Sequence, residues 1–291
     1  MNKAFSIGVI IDSFLKPTFK EGLEQAVKVG AEGIQVYAVN GEMAPWNLNS
    51  AQRAEKRKLV EDFGLKISAL CGDLGGHGFM NKEENAERID KSKQIVDLAL
   101  ELGTNIITTH IGVIPEDKNS DTYKVMLEAC TELAEYANSV NAFFAIETGP
   151  ETAVVLREFL EQLPGKGVGV NFDPANLVMC VDGVPEVDVK TLGDYIVHTH
   201  AKDGIMVSGK DPVKVKEVLD NCGYGDVDFK ELPYIELPLG CGHVNFPKYL
   251  KALKETGFNG FLTIERETGP DPFKDIEMAV KFLQEQMTNL G

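Results

Sequence analysis

Four short apolar runs in the second half of the chain each end on a side chain able to ligate a metal ion. FFAIE ends at Glu147, GVGVNFD at Asp173, YIVHTH at His200 and GFLTIE at Glu265, at intervals of 26, 27 and 65 residues. A lone carboxylate at a strand end is usually a helix cap, and a lone histidine on a strand is usually a hydrogen-bonded core residue. Four of them on successive strands are hard to explain that way. Three carboxylates gathered with an imidazole cannot all stay ionised without a counter-charge, and a divalent cation supplies one. Mixed oxygen and nitrogen donors suit one manganese, cobalt, zinc or magnesium ion, and the residue types do not choose among these. Such an ion, with places left for two substrate oxygens, would chelate a hydroxy-carbonyl compound and acidify the neighbouring C–H.

For these groups to meet, their strands must lie side by side. Runs rich in Val, Ile and Phe recur at 5–11, 33–38, 66–71, 105–110, 143–147, 167–172, 195–201 and 260–265. Amphipathic stretches at 18–29, 50–63, 82–102, 121–140, 152–163, 175–181, 246–255 and 272–287 have the spacing of helices with one side on a core. Gly30, Gly64, Gly103 and Gly257 stand where helix ends call for a left-handed turn. Eight such units of about 36 residues predict an α/β fold, a (β/α)8 TIM barrel forming a single domain over residues 1–291. In that fold the C-terminal strand ends form the active face, which is where the four ligands fall. Between Asp203 and Gly242 about forty residues, including CGYGDVDFKELPYIELPLGCG, break the rhythm and predict an elaborated loop after strand seven.

Composition narrows the partners. The 291 residues carry 29 Lys+Arg against 45 Asp+Glu, a net charge of −16 with no basic run, so nucleic acid and anionic membranes are poor partners. Cys71, Cys130, Cys180, Cys222 and Cys241 are odd in number and form no C-x-x-C pair, which predicts a reducing, cytoplasmic setting without a disulfide framework. The apolar run at 4–11 is interrupted by Asp12 and reads as a first buried strand rather than a leader, and no run has membrane-spanning length. The oligomeric state stays open, a homo-oligomer included.

The stretches IETGPE, NFDPAN, HTHAKD, PLGCGHVNF and GFNGFLTIERE follow one another in an order and spacing that resemble the xylose isomerase-like barrel superfamily. The closer resemblance is to its bacterial sugar phosphate isomerase/epimerase branch. It is strongest over residues 147–267; in the first hundred residues only GAEGIQVY and the βα rhythm are similar. The resemblance implies an isomerase acting on a sugar, sugar phosphate or polyol, with one divalent metal held by Glu147, Asp173, His200 and Glu265. In the epimerase branch the two glutamates are also the acid/base pair. Carried over, Glu147 and Glu265 would remove and return a proton on opposite faces through a metal-stabilised cis-enediolate. The resemblance also places the H-x-K-D run at the site, so that Lys202 offsets negative charge or meets an anionic substrate group, with Asp203 beside it; a surface ion pair is the alternative. Asn176, on the first turn after Asp173, faces the same mouth. Several relatives have histidine there, so this chain departs from the family pattern at that position.

Other residues are candidates of a weaker kind. His110 ends strand four in TTHIG, where it binds a substrate hydroxyl or caps a barrel layer. Gly240 and Gly242 are placed to let backbone amides approach a phosphate or hydroxyl. Relatives often carry a polar residue where Cys241 stands, and no arginine cluster supports a phosphorylated substrate. Arg266 and Glu267 either close the site or pair with each other, and His77 lies in a glycine-rich segment expected to be a mobile loop near the opening. The same metal and base would also serve a dehydratase of a keto-polyol. An endonuclease IV-like hydrolase needs more histidines than the five present. A non-catalytic sugar-binding barrel is the remaining alternative.

Overall fold

The computed structural model describes residues 3–290. Among these, the strands are β1 (Ser6–Ile10), β2 (Gly33–Tyr37), β3 (Lys66–Cys71), β4 (Ile106–Thr109), β5 (Phe143–Glu147), β6 (Val168–Phe172), β7 (Ile196–Ala201), β8 (Asp203–Met206), β9 (Tyr234–Leu237) and β10 (Phe261–Ile264). The helices are α1 (Phe19–Val29), α2 (Ser50–Asp62), α3 (Lys82–Leu102), α4 (Asp121–Val140), α5 (Ala153–Leu160), α6 (Pro174–Val181), α7 (Pro185–Leu192), α8 (Pro212–Asn221), α9 (Phe246–Glu255) and α10 (Pro272–Asn289). Eight of the strands close into a parallel barrel in the order β1-β10-β7-β6-β5-β4-β3-β2, and β1 pairs with both β10 and β2 to seal it. The expected (β/α)8 barrel is borne out. No described helix is long and apolar enough to cross a membrane.

Strand alternation decides what the barrel contains. In β6 and β10, Val170, Phe172, Leu262 and Ile264 join the hydrophobic core, and the Phe172 ring stacks on Tyr249 of α9 at 5.5 Å. The residues between them, Asn171 and Thr263, are equally buried yet polar, because they point the other way, into the barrel. Two register shifts interrupt the ladders, one between Ile34 and Gln35 where Ser68 is the extra residue opposite, and one between Val170 and Asn171 where Val197 is extra. Both fall beside polar interior residues, where a bulge re-aims a side chain.

The sequence between Asp203 and Gly242 is a folded excursion rather than a loop. Here β8 pairs antiparallel with β9, α8 lies between them, and Ile205, Val215, Leu219, Ile235 and Leu237 form a core of their own. Each of these elements is four to ten residues long, too short to show a period. The same holds for α7, eight residues that the pattern reading did not foresee.

Candidate metal centre

Glu147 closes β5, His200 lies near the end of β7, and Asp173 and Glu265 stand one residue beyond β6 and β10. These four strands are consecutive around the barrel, so their ends form one arc of its rim. All four side chains are at most 7% exposed. His200 Nδ1 lies 3.4 Å from Glu147 Oε1, 3.5 Å from Asp173 Oδ2 and 3.3 Å from Glu265 Oε2. One donor atom from each of the four lies within 4.8 Å of all the others. Donors bonded to a common ion at about 2.1 Å are about 3.0–3.4 Å apart along a polyhedron edge, close to the three distances from His200.

Hydrogen bonds leave these donor atoms turned inward. Asp173 Oδ1 accepts from the amides of Ala175 (2.8 Å) and Asn176 (2.9 Å) and so caps α6. Its other oxygen, Oδ2, is buried and accepts no hydrogen bond, an arrangement that is costly unless a cation completes it. His200 Nε2 sits 3.1 Å from the acceptor Gln35 Oε1 and 3.2 Å from Asn171 Nδ2, which donates to Glu147; with Gln35 as its partner the neutral ring carries its proton on Nε2 and turns the Nδ1 lone pair to the carboxylates. Gln35 in turn donates to Thr108 Oγ1 at 3.0 Å. Glu147 accepts from Asn171 Nδ2 at 3.1 Å and from Asn176 Nδ2 at 3.0 Å. His198 Nδ1 donates to Asn171 Oδ1 at 2.8 Å, and its Nε2 accepts from Thr263 Oγ1 at 3.1 Å, so a buried relay fixes Glu147 from below. The donor set, the orphaned oxygen and the tautomer all fit a small divalent cation.

The electrostatics point the same way. Burial opposes charge on His200, but in the ion-free protein Glu147 and Glu265 hold its pKa well above the usual imidazole range, so a proton stands at Nδ1 where a cation would replace it. Burial likewise works against ionised Glu265, yet Lys202 and His200 bring its pKa well below the usual range. Glu147 is lowered as well, His200 and His110 outweighing its burial, whereas burial prevails at Asp173 and raises it. Lys202 Nζ donates to Glu265 Oε2 at 2.9 Å and also pairs with Glu267; although buried, it is held firmly charged. It therefore offsets local negative charge, one of the two roles expected of it.

Above the ligands opens a cavity of about 270 Å³ whose walls include Tyr37, Asp73, His110, Asn176, Lys202 and Tyr234. His110 is half-exposed there. Its Nδ1 is 3.1 Å from Asp73 Oδ2 and its Nε2 3.8 Å from Glu147 Oε1, and the Glu147 charge is the main reason its pKa is pushed up to about 9. Asp203 does not line this cavity. It is fully buried, with Oδ1 accepting from the amides of Gly204 (2.9 Å) and Val244 (3.1 Å) and Oδ2 from those of Gly240 and Gly242 (3.0 Å each). The amides expected to approach a phosphate or hydroxyl are thus occupied by the protein's own carboxylate. A Cβ on Gly242 would lie 2.2 Å from Asp203 Oδ1, so only glycine fits. Arg266 and Glu267 do not pair with each other: Arg266 binds Glu236 (2.7 Å) and Asp275 (2.9 Å), and Glu267 binds Lys202. His77 is turned toward Glu84 of α3 at 3.2 Å.

Sequence reasoning missed Gln35, Asp73, Asn171 and His198. A signal for two of them was present, because Asn171 and His198 each lie two residues before a ligand and so share its face of the strand.

Fold and site together define a (β/α)8 barrel with a buried cluster at the C-terminal ends of its strands, Glu147, Asp173, His200 and Glu265, that could hold a metal ion. The family model of the xylose isomerase-like TIM barrel matches residues 23–286, and the chain belongs to that family. A xylose isomerase domain protein from Planctomyces limnophilus superposes with a TM-score of 0.79 at 26% identity, covering 100% of this chain and 99% of its own. A D-tagatose 3-epimerase-like protein gives 0.73 at 19% identity, with coverage of 99% and 100%. A probable 3-DHS dehydratase of petrobactin synthesis from Bacillus anthracis gives 0.72 at 20% identity, with coverage of 96% and 99%.

Proposed function

We propose that the protein is a divalent-metal-dependent isomerase or epimerase of a sugar or related polyol, moving a proton on the carbon next to a carbonyl. The observation that carries this reading is the pairing of Glu147 and Glu265, two buried glutamates lowered in pKa that bound the ligand arc and open on one small cavity. Glu147, Asp173, His200 and Glu265 would hold the ion, which when bound supplies Lewis acidity that makes the substrate C–H labile. One glutamate takes the proton and the other returns it; return to the opposite face of the same carbon inverts it, whereas delivery to the neighbouring carbon interconverts aldose and ketose. Lys202 keeps Glu265 ionised for this task. Asn171 and Asn176 hold Glu147 in place through one oxygen each. His110, charged beside Asp73, donates to a substrate hydroxyl.

The test is incubation of the manganese-loaded protein with ketoses, aldoses and their phosphates in heavy water. Deuterium is expected at a carbon adjacent to the carbonyl, with Glu147→Gln and Glu265→Gln each slowing its uptake at least about a hundredfold. An unsaturated product shorter by one water would instead identify a dehydratase, and absence of any exchange would remove the proton-transfer reading.

A further inference from the structure

A second cavity of about 550 Å³ adjoins the reaction cavity and shares Asn176, Lys202, Tyr234 and Glu267 with it as walls. Its far side is apolar: Met179 from α6, Val227, Leu232 and Ile235 from the excursion, and Pro270 beyond β10. Leu232 and Tyr234 leave 41% and 44% of their surface uncovered at this place. The reaction cavity alone, at about 270 Å³, falls short of the roughly 300–1,000 Å³ typical of small-molecule sites. Opening into the annex brings it well within that range.

The charges around the annex disfavour an anionic end on the substrate, and His110, the cationic imidazole of the reaction cavity, is engaged by Asp73. Lys202 is the one lysine or arginine among the described residues lining either cavity, and Glu265 and Glu267 already engage it. Arg266, just outside, is taken by Glu236 and Asp275. The amide cradle of Gly240 and Gly242 is filled by Asp203. A phosphate reaching past the reaction centre would meet Glu236 and Glu267 with no free donor of positive charge.

We infer that the substrate is an uncharged polyhydroxy carbonyl compound bearing an apolar or aromatic substituent, its polar head at the ligand arc and its substituent in the annex. This rests on the proposed reaction for the head and on the annex for the tail. Lys202 and Glu267 stand between the two, where their paired charges face the hydroxyls while the stem of Lys202 adds apolar wall.

The experiment compares ketopentoses and ketohexoses, each as the free sugar, the terminal O-benzyl ether and the terminal phosphate. Two readouts are taken on the manganese-loaded protein: solvent deuterium uptake and the rise in melting temperature. The benzyl ethers are expected to exceed their parents at least about tenfold in kcat/KM, and the phosphates to fall below them. Leu232→Asp is expected to shrink the benzyl-to-parent ratio at least about fivefold. Exchange of free sugars with benzyl ethers no better, or with phosphates best, overturns the annex assignment and leaves the proposed reaction standing. Preferential stabilisation by benzyl ethers without any exchange keeps the annex and overturns the reaction. No effect of any compound in either readout overturns both.

Discussion

Asp173 divides two tasks between its oxygens, one capping α6 and the other facing His200 without a hydrogen bond. Asp173→Asn keeps an oxygen for the cap but loses the anionic donor. Titration calorimetry is expected to give at least a hundredfold weaker manganese binding, while metal-free stability is not lowered, since burial raises the native carboxyl. Asp173→Ala loses the cap as well, about 1 kcal/mol of stability, so denaturant melts of the two variants separate the tasks. Glu151 offers a pH test outside the ligand set. It is buried, its Oε2 has no partner, and burial pushes its pKa up to about 7. A carboxyl raised in the fold keeps its proton from about pH 4.5 to 7 while the unfolded chain has lost it, so stability falls as pH rises through that window. Glu151→Gln removes the titration; melts at pH 8 are expected to show it about 2–3 kcal/mol more stable than the native protein, with near parity at pH 4.5. A constant difference across pH would refute this.

Elements explain which of these roles could be read from the sequence. The gathering of Glu147, Asp173, His200 and Glu265 was legible because a strand is short and its last inward residue is a fixed landmark. Lys202 and Asp203 were grouped by adjacency, yet neighbours in extended chain point to opposite sides, so one faces the cavity and the other the excursion. The same alternation separates Arg266 from Glu267. Gln35 and Asp73 stayed hidden because their partners, His200 and His110, lie far away in sequence and no local pattern marks such a pair. The Asp203 clip has a consequence at this scale. Asp203→Asn turns an amide NH2 toward two backbone N–H groups, replacing attraction by donor-donor opposition. Hydrogen exchange at Gly240, Gly242 and Val244 is expected to quicken at least about tenfold, whereas unchanged protection would mean that the segment is held by other contacts.

At the scale of the whole molecule, the charge of −16 surrounds a mouth rich in carboxylates. Long-range attraction should steer divalent cations inward, so stopped-flow manganese association is expected to slow several-fold between about 10 mM and 0.15 M ionic strength. Saturation at about a hundred times Kd is expected to stabilise the fold by about 2.7 kcal/mol, and EDTA to reverse this in thermal melts. The excursion between β7 and α9 has a consequence of another kind. Ile205, Val215, Leu219, Ile235 and Leu237 close a small core apart from the main one, while Tyr224 and Glu236 fasten the segment to the rim through Arg266. Transplanting its counterpart from a related barrel, with Lys202, Asp203, Tyr234 and Glu236 kept, would therefore exchange the vestibule while leaving the groups around the reaction cavity in place, which makes the remainder of this stretch a unit for recombination.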